Sequence, residues 1–297
     1  MVKVEVPATT ANLGPGFDTL GMSLELYNEV VVEEIDSGLD IEVLGYGSDE
    51  LERDKNNLVY KVMTEVFSKL SYEPKGLRIK LNNRIPLARG LGSSAAAIVG
   101  GLVAANRLTG DRLSQRELLN LATKIEGHPD NVAPALLGGV VISTLKDEEV
   151  IYKKVPVPEL KVVVCIPDYQ LSTKRSREVL PKKVEFKDAV FNISRTGLLI
   201  SALLTEDYEL ISEALDDRLH QPYRQNLVPG LKEIIEKLSR KALGVTLSGS
   251  GPTVVAFTLE GEKDIGERMV STFEENGVDA HYTITTPTNG GAIILED

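Results

Sequence analysis

From residue 94 to 108 the chain reads SAAAIVGGLVAANRL, and after Ser94 its only polar side chains, Asn106 and Arg107, come at the far end. Alanine and leucine favour a helix, yet no polar face recurs at helical spacing. A helix that is apolar all round is buried inside a core and does not lie on a surface. The uninterrupted run from Ala95 to Ala105 falls well short of the roughly 20 residues that span a bilayer. A chain of 297 residues can supply the core, since at that length about 75% of the unfolded surface is buried on folding. Length alone suggests one large or two ordinary domains.

The segment that feeds this helix, residues 86–96, reads PLARGLGSSAA. Its glycines let backbone N–H groups approach a ligand. It empties into a helix N-terminus, where unpaired amides and the positive end of the dipole suit a phosphate. The letters from Gly90 to Ala95 also satisfy the loose dinucleotide fingerprint, with Asp111 about twenty residues on. That reading needs a strand running straight into the first glycine and a second strand after the helix. Pro86 and Arg89 interrupt the first, and the next element is a helix. No GxxxxGK[ST] occurs, which excludes a Walker loop. A glycine turn that only packs helix on sheet is the structural alternative.

Residues 2–6 and 22–35 are rich in β-branched side chains, with Glu25 and Glu29 set against Leu24, Leu26 and Val30, as in strands with one wet face. Residues 56–72 carry Leu58, Val62, Val66 and Leu70 at helical spacing, and 77–81 read as a strand. Ser114 and Glu117 form a capping-box pattern for a helix to about Ile125, stopped by Gly127, His128 and Pro129. Asp130 or Asn131 is expected to cap a short helix that ends at Gly138 and Gly139. Strands follow at 140–144, 150–154 and 160–166. Beyond them, helices are expected near 173–180, 187–204, 208–215 and 231–241, and strands near 244–247, 253–257, 280–284 and 292–295. Pro156, Pro158 and Pro167 mark a junction between two α+β domains, 1–155 and 156–297.

The formal charge is −11, and it is unevenly placed. Between Val4 and Glu52 stand twelve acids and no lysine or arginine. Such a balance argues against nucleic-acid binding, which draws its affinity from clustered cations, so an anionic ligand must be held by local devices. Cys165 is the single cysteine, which forbids an intrachain disulfide; among Val162, Val163, Val164 and Ile166 it reads as a buried strand residue. The first residues lack the charged-then-apolar pattern of a signal peptide. No membrane partner is indicated, the cytoplasm is the expected address, and the oligomeric state is left open, a homodimer included.

Two further segments are rich in small residues. Residues 247–253, LSGSGPT, lie between two expected strands and hold more glycine and serine than a hairpin requires; such a nest of amides can close over an anion. Residues 7–18, PATTANLGPGFD, connect two strands through small polar side chains. Together and in this order, the three segments resemble the GHMP family of small-molecule kinases along essentially the whole chain. The resemblance extends to 126–139, EGHPDNVAPALLGG. It implies an α+β, two-domain GHMP kinase fold, with an N-terminal domain of the ribosomal S5 domain 2-like type and a C-terminal ferredoxin-like α/β sandwich. The implied reaction moves the γ-phosphoryl group of ATP to an alcohol, here the side-chain hydroxyl of L-homoserine, on the route to threonine. Relatives acting on mevalonate or galactose usually carry a lysine or arginine in the first segment, and this chain has none between Lys3 and Arg53. Another alcohol as acceptor, or a catalytically silent binding protein, are the alternatives.

The same resemblance implies site residues. ATP would lie along Pro86, Leu87, Ala88, Arg89, Gly90, Leu91, Gly92, Ser93, Ser94, Ala95 and Ala96, with its adenosine near Asn57. Ser94 and Glu126 would ligate Mg²⁺, a hard cation that prefers oxygen. Arg177 and Arg224 would hold the substrate carboxylate, for which a planar guanidinium is suited; Arg175, two residues earlier, competes with Arg177 for the match. Asn12, Asp18, His128, Asp130 and Asn131 match the other substrate contacts, Asp18 being the natural partner of the ammonium. Asp130 resembles by position the base of mevalonate-type relatives, but the lysine that pairs with that base has no counterpart. Asp130 and Asn131 are therefore expected to orient the hydroxyl, its proton leaving late.

Overall fold

The computed structural model describes residues 1–157 and 159–295, so Pro158 of the expected junction lies outside the described residues. Strands β1 (Val2–Ala11) and β2 (Leu20–Glu34) pair antiparallel, with a register shift between Pro7 and Ala8. β3 (Gly38–Gly45) is followed by α1 (Leu58–Leu70), whose crossover brings β4 (Gly76–Asn83) back parallel to β3 and antiparallel to β2. Helices α2 (Ser93–Leu108), α3 (Gln115–Glu126) and α4 (Pro129–Leu137) come next. The hairpin of β5 (Val140–Lys146) and β6 (Glu149–Val155) then pairs with the near end of β2.

Helix α2 is the buried one that its composition requires: it is wrapped by β1, β2, α1, α3 and α4. Ser114 and Glu117 close the capping box on α3 as expected. Helix α4 corrects an expectation. It starts at Pro129 with His128 in the cap position, so Asp130 and Asn131 sit inside its first turn. Proline supplies the starting φ there and needs no donor of its own.

The second half runs through β7 (Lys161–Pro167), α5 (Thr173–Glu178), α6 (Phe186–Thr205), α7 (Ile211–Ala214), α8 (Gln221–Arg224) and α9 (Leu231–Leu238). β8 (Gly244–Leu247), β9 (Val254–Thr258), α10 (Glu262–Glu275) and β10 (Ala280–Thr285) complete it. The four strands form an antiparallel sheet in the order β10-β7-β9-β8, the arrangement of a ferredoxin-like sandwich. Strand β7 is buried on both faces: Val162, Val164 and Ile166 join the core shared with the first half, while Val163 and Cys165 face a smaller core under α9 and α10. Alternation between two dry faces is why 162–166 reads as one apolar run. Burial pushes the Cys165 thiol up to about 12, as fits a packing residue. Strand β11 (Ile293–Leu295) leaves this half and pairs with β1 in the first sheet. Sequence periodicity misses β3, α8 and α10. Among the described residues no helix is long and apolar enough to cross a membrane.

Candidate active site

The three small-residue segments meet, and they are stitched together mostly through their backbones. Thr9 N–H donates to the Leu91 carbonyl (3.1 Å), Thr253 N–H to Arg89 (3.2 Å) and Gly249 N–H to Ala11 (3.1 Å). Ser248 Oγ donates to the Gly90 carbonyl (2.6 Å) and shares a hydrogen bond with the Thr10 hydroxyl (2.9 Å). Asn12, itself in the left-handed region at φ 69°, donates to the Gly249 carbonyl (2.8 Å) and accepts from Asp18 N–H (3.0 Å).

The loop into α2 has Gly92 at its cap position at φ 70°, where a Cβ would fall 1.9 Å from Thr9 Oγ1. Only glycine tolerates that backbone and that approach. Because Gly92 brings no capping side chain, the first amides of α2 are open to an anionic ligand. Within that first turn Ser94 Oγ donates to Glu126 Oε2 (3.0 Å), joining the start of α2 to the end of α3. Burial raises the Glu126 carboxyl above its usual range, against the pull of Ser94 and His128.

Past Glu126, His128 Nδ1 lies 2.6 Å from Asp130 Oδ1, which also accepts from Asn131 Nδ2 (3.3 Å). Asn131 Oδ1 accepts from Thr9 Oγ1 (2.9 Å), which ties this turn to the first segment. Burial lowers the His128 imidazolium pKa, but the hydrogen bond and charge of Asp130 outweigh it, and the net direction is upward.

Opposite stand the arginines. Arg177, on α5, makes a two-point ion pair with Asp18, and it lies on the cavity wall, whereas Arg175 pairs with Glu178. Arg224 is 1% exposed; it donates through Nε to the Ser176 carbonyl (3.1 Å) and through Nη1 to Gly249 O (3.0 Å) and His220 Nδ1 (3.2 Å). Burial, then the nearby Arg177 charge, lower its pKa to about 10. The other ring nitrogen of His220, Nε2, lies 2.7 Å from the Gly14 carbonyl, so His220 is neutral with its proton on Nε2. The Phe17 ring stacks on His220 and lies 5.4 and 5.3 Å from the Arg177 and Arg224 guanidiniums.

Two cavities flank the loop. One, of about 310 Å³, is lined by Asn12, Asp18, Ala88 to Ser94, Glu126, His128, Asp130, Asn131, Arg177 and Arg224. The other, of about 370 Å³ and largely apolar, is lined by Val30, Leu51, Asn57, Val59, Leu81, Leu87 and Ala97. Ala88, Ser93 and Ser94 are walls of both. Pro86, Ala95 and Ala96 are buried and line neither. The Asn57 side chain is occupied as the cap of α1, accepting from Val59 and Tyr60 N–H and donating to the Glu52 carbonyl. Sequence reasoning missed Phe17, His220 and Ser248. His220 precedes Arg224 by four residues, a spacing that puts two side chains on one helical face.

This arrangement, two α/β units with a glycine loop between an apolar and a charged cavity, belongs to a known class. The chain is a member of the GHMP kinase family: residues 57–139 match "GHMP kinases N terminal domain" and 199–276 match "GHMP kinases C terminal". It is 53% identical to the homoserine kinase of Carboxydothermus hydrogenoformans over 99% of this chain and 97% of that one. The homoserine kinase of Moorella thermoacetica is 48% identical over 99% of this chain and all of its own. The crystal structure of homoserine kinase from Cytophaga hutchinsonii superposes with a TM-score of 0.88 at 31% identity, covering 99% of this chain and 97% of that one.

Proposed function

We propose that this chain transfers the γ-phosphoryl group of ATP to the side-chain hydroxyl of L-homoserine, giving ADP and O-phospho-L-homoserine, a step towards threonine. The observation that carries the reading is the pair of cavities sharing the Ala88, Ser93 and Ser94 wall. An adenosine fits the apolar side, phosphates fit the amides at Gly92, and a small zwitterion fits the side that holds Asp18, Arg177 and Arg224. The full-length likeness to homoserine kinases supports the same acceptor.

In the charged cavity Asp18 and Arg177 already satisfy each other, so the substrate enters by exchange. Its carboxylate takes Arg177 and Arg224, its ammonium takes Asp18, and one ion pair becomes two. This sets the hydroxyl toward Asn131 and the loop. Asp130 Oδ1 is held by His128 and Asn131, which suits an orienting role better than proton abstraction. Phosphoryl transfer through a loose transition state asks for position and charge neutralisation more than for a base. We assign Asn131 and Asp130 to orienting the hydroxyl, with its proton leaving late to the phosphate.

Ser94 and Glu126 fit Mg²⁺. Their oxygens already converge to 3.0 Å beside the amides of α2, and Glu126 is a carboxylate that burial leaves short of positive charge. The remaining ligands of such an ion would come from phosphate and water. When bound, Mg²⁺ supplies positive charge to the phosphate oxygens. The proposed division at residues 155 and 156 sets the loop residues that would face ATP before the boundary and the two arginines after it.

The test is ADP release with Mg-ATP across homoserine, threonine, serine, mevalonate and galactose. Homoserine is expected to give the highest kcat/KM. Faster turnover of another acceptor overturns the substrate assignment, and no turnover with any of them overturns the kinase reading.

A further inference from the structure

In residues 7–18 the large apolar side chains are Leu13 and Phe17. Leu13 is core, whereas Phe17 stays half-buried, one residue before Asp18. It is firmly placed all the same. Thr19 and Leu20 N–H both donate to the Gly16 carbonyl (3.0 and 2.9 Å), and Asp18, at φ 53°, has its own N–H fixed on Asn12 Oδ1 (3.0 Å). The backbone on either side therefore sets where the ring stands.

What surrounds the ring is charge. The Arg177 and Arg224 guanidinium carbons lie 5.4 and 5.3 Å from its centroid, inside the roughly 6 Å over which an aromatic face attracts a cation. The neutral His220 ring stacks on Phe17 at 5.3 Å and accepts from Arg224 Nη1 (3.2 Å). One phenylalanine is thus shared by two cations that repel each other: after burial, the Arg177 charge is the next influence that lowers the Arg224 pKa.

The two arginines depend on the ring unequally. Arg224 is anchored without it, by two carbonyls and His220. Arg177 has Asp18 as its one hydrogen-bonding side-chain partner among the described residues. In the exchange, Asp18 is the carboxylate that turns to the substrate ammonium. Arg177 then has the ring of Phe17 left to hold it on the protein side.

We infer, resting on the exchange proposed above, that Phe17 is a positioning residue of the acceptor site, its ring keeping the Arg177 guanidinium beside Arg224 while Asp18 changes partner. Both cations then meet one carboxylate without either having to be recruited from solvent. An aliphatic side chain of similar volume would fill the space but would offer no negative face.

Phenylalanines carrying one, two and three ring fluorines at position 17 keep the shape nearly constant while draining the negative face in steps. The KM for homoserine is expected to climb at each step, to roughly 5-fold at the third, with the KM for ATP within about twofold throughout. Phe17→Leu is expected to raise the KM for homoserine roughly 10-fold, and Phe17→Tyr to recover all but about twofold of that. A ring that only packs answers to shape alone, so a flat fluorine series overturns the proposal, as does a leucine variant that binds homoserine like the native chain. A second readout needs no turnover. In a double-mutant cycle of Phe17→Leu with Arg177→Met, the unfolding constant in urea is expected to show a coupling of roughly 2- to 5-fold, and additive effects overturn the proposal. A native chain inert toward homoserine breaks the functional reading instead, and the cycle then decides by itself whether ring and guanidinium are coupled.

Discussion

Arg177 holds Asp18 through two parallel hydrogen bonds, Nη2 to Oδ1 at 2.6 Å and Nη1 to Oδ2 at 2.9 Å. Residues 159 apart in sequence thus satisfy each other on the wall of the charged cavity, and in the proposed exchange a zwitterion replaces both contacts at once. Losing one charged contact costs about 1.5–3 kcal/mol, roughly 10- to 100-fold. Asp18→Asn and Arg177→Met are each expected to raise the KM for homoserine by that factor and to leave the KM for ATP within about twofold. Equal loss for both substrates would contradict the exchange.

Arg224 is a different kind of arginine. Its removal strands the carbonyls of Ser176 and Gly249 and a ring nitrogen of His220 in the core. Arg224→Met is expected to lower the unfolding free energy by about 2–4 kcal/mol in urea, while Arg177→Met, at a partly exposed pair, changes it by less than about 1 kcal/mol.

Acid should unfold the chain partly through His220. Burial is the largest influence on this ring and depresses its pKa below the ordinary value. In the unfolded chain the imidazole takes up a proton as pH falls below about 6.5, whereas in the folded chain it does not. Stability is therefore lost as pH falls through that value, by up to about 1.4 kcal/mol per pH unit from this group. His220→Gln, whose amide can still donate to Gly14, is expected to flatten the slope of unfolding free energy between about pH 4.5 and 6.5. An unchanged slope would contradict a neutral, buried His220.

Glu126 runs the other way. With its carboxyl raised mainly by burial, the folded state favours the protonated form, so this group costs stability as pH rises through the window above its ordinary value. A divalent ion held at the proposed site would reverse that penalty. Mg²⁺ with ADP is expected to raise the Tm of the native chain by several degrees, and that of Glu126→Gln by less than half as much. Equal shifts would remove Glu126 from the metal site.

Much of the fold follows from patterns that need no partner to be seen. Helix α2 is apolar on every side, β7 is apolar on both faces, and Ser114 with Glu117 closes a local box. Elements whose partners are remote were harder. The acids of β3 read as solvent-facing charge although Ile41 and Val43 are buried, and α10 shows its core only in the spacing of Ile265, Met269 and Phe273. In the candidate site the glycine loop was legible because glycine is required locally at Gly92. The choice of Arg177 over Arg175 depends on where α5 sits against the first segment. The contacts of Phe17 and His220 exist only once residues about two hundred apart have met.

Strand β11 pairs Leu295 with Lys3 and Ile293 with Glu5. The outer edge of β1 is therefore covered only by a strand that lies nearly three hundred residues further along the chain. An exposed edge is a template for wrong pairing. Lys3, paired with Glu29 of the neighbouring β2, and Glu5 put charge on that strand, and shortening the chain after Ala292 is expected to leave its outer edge permanently uncovered.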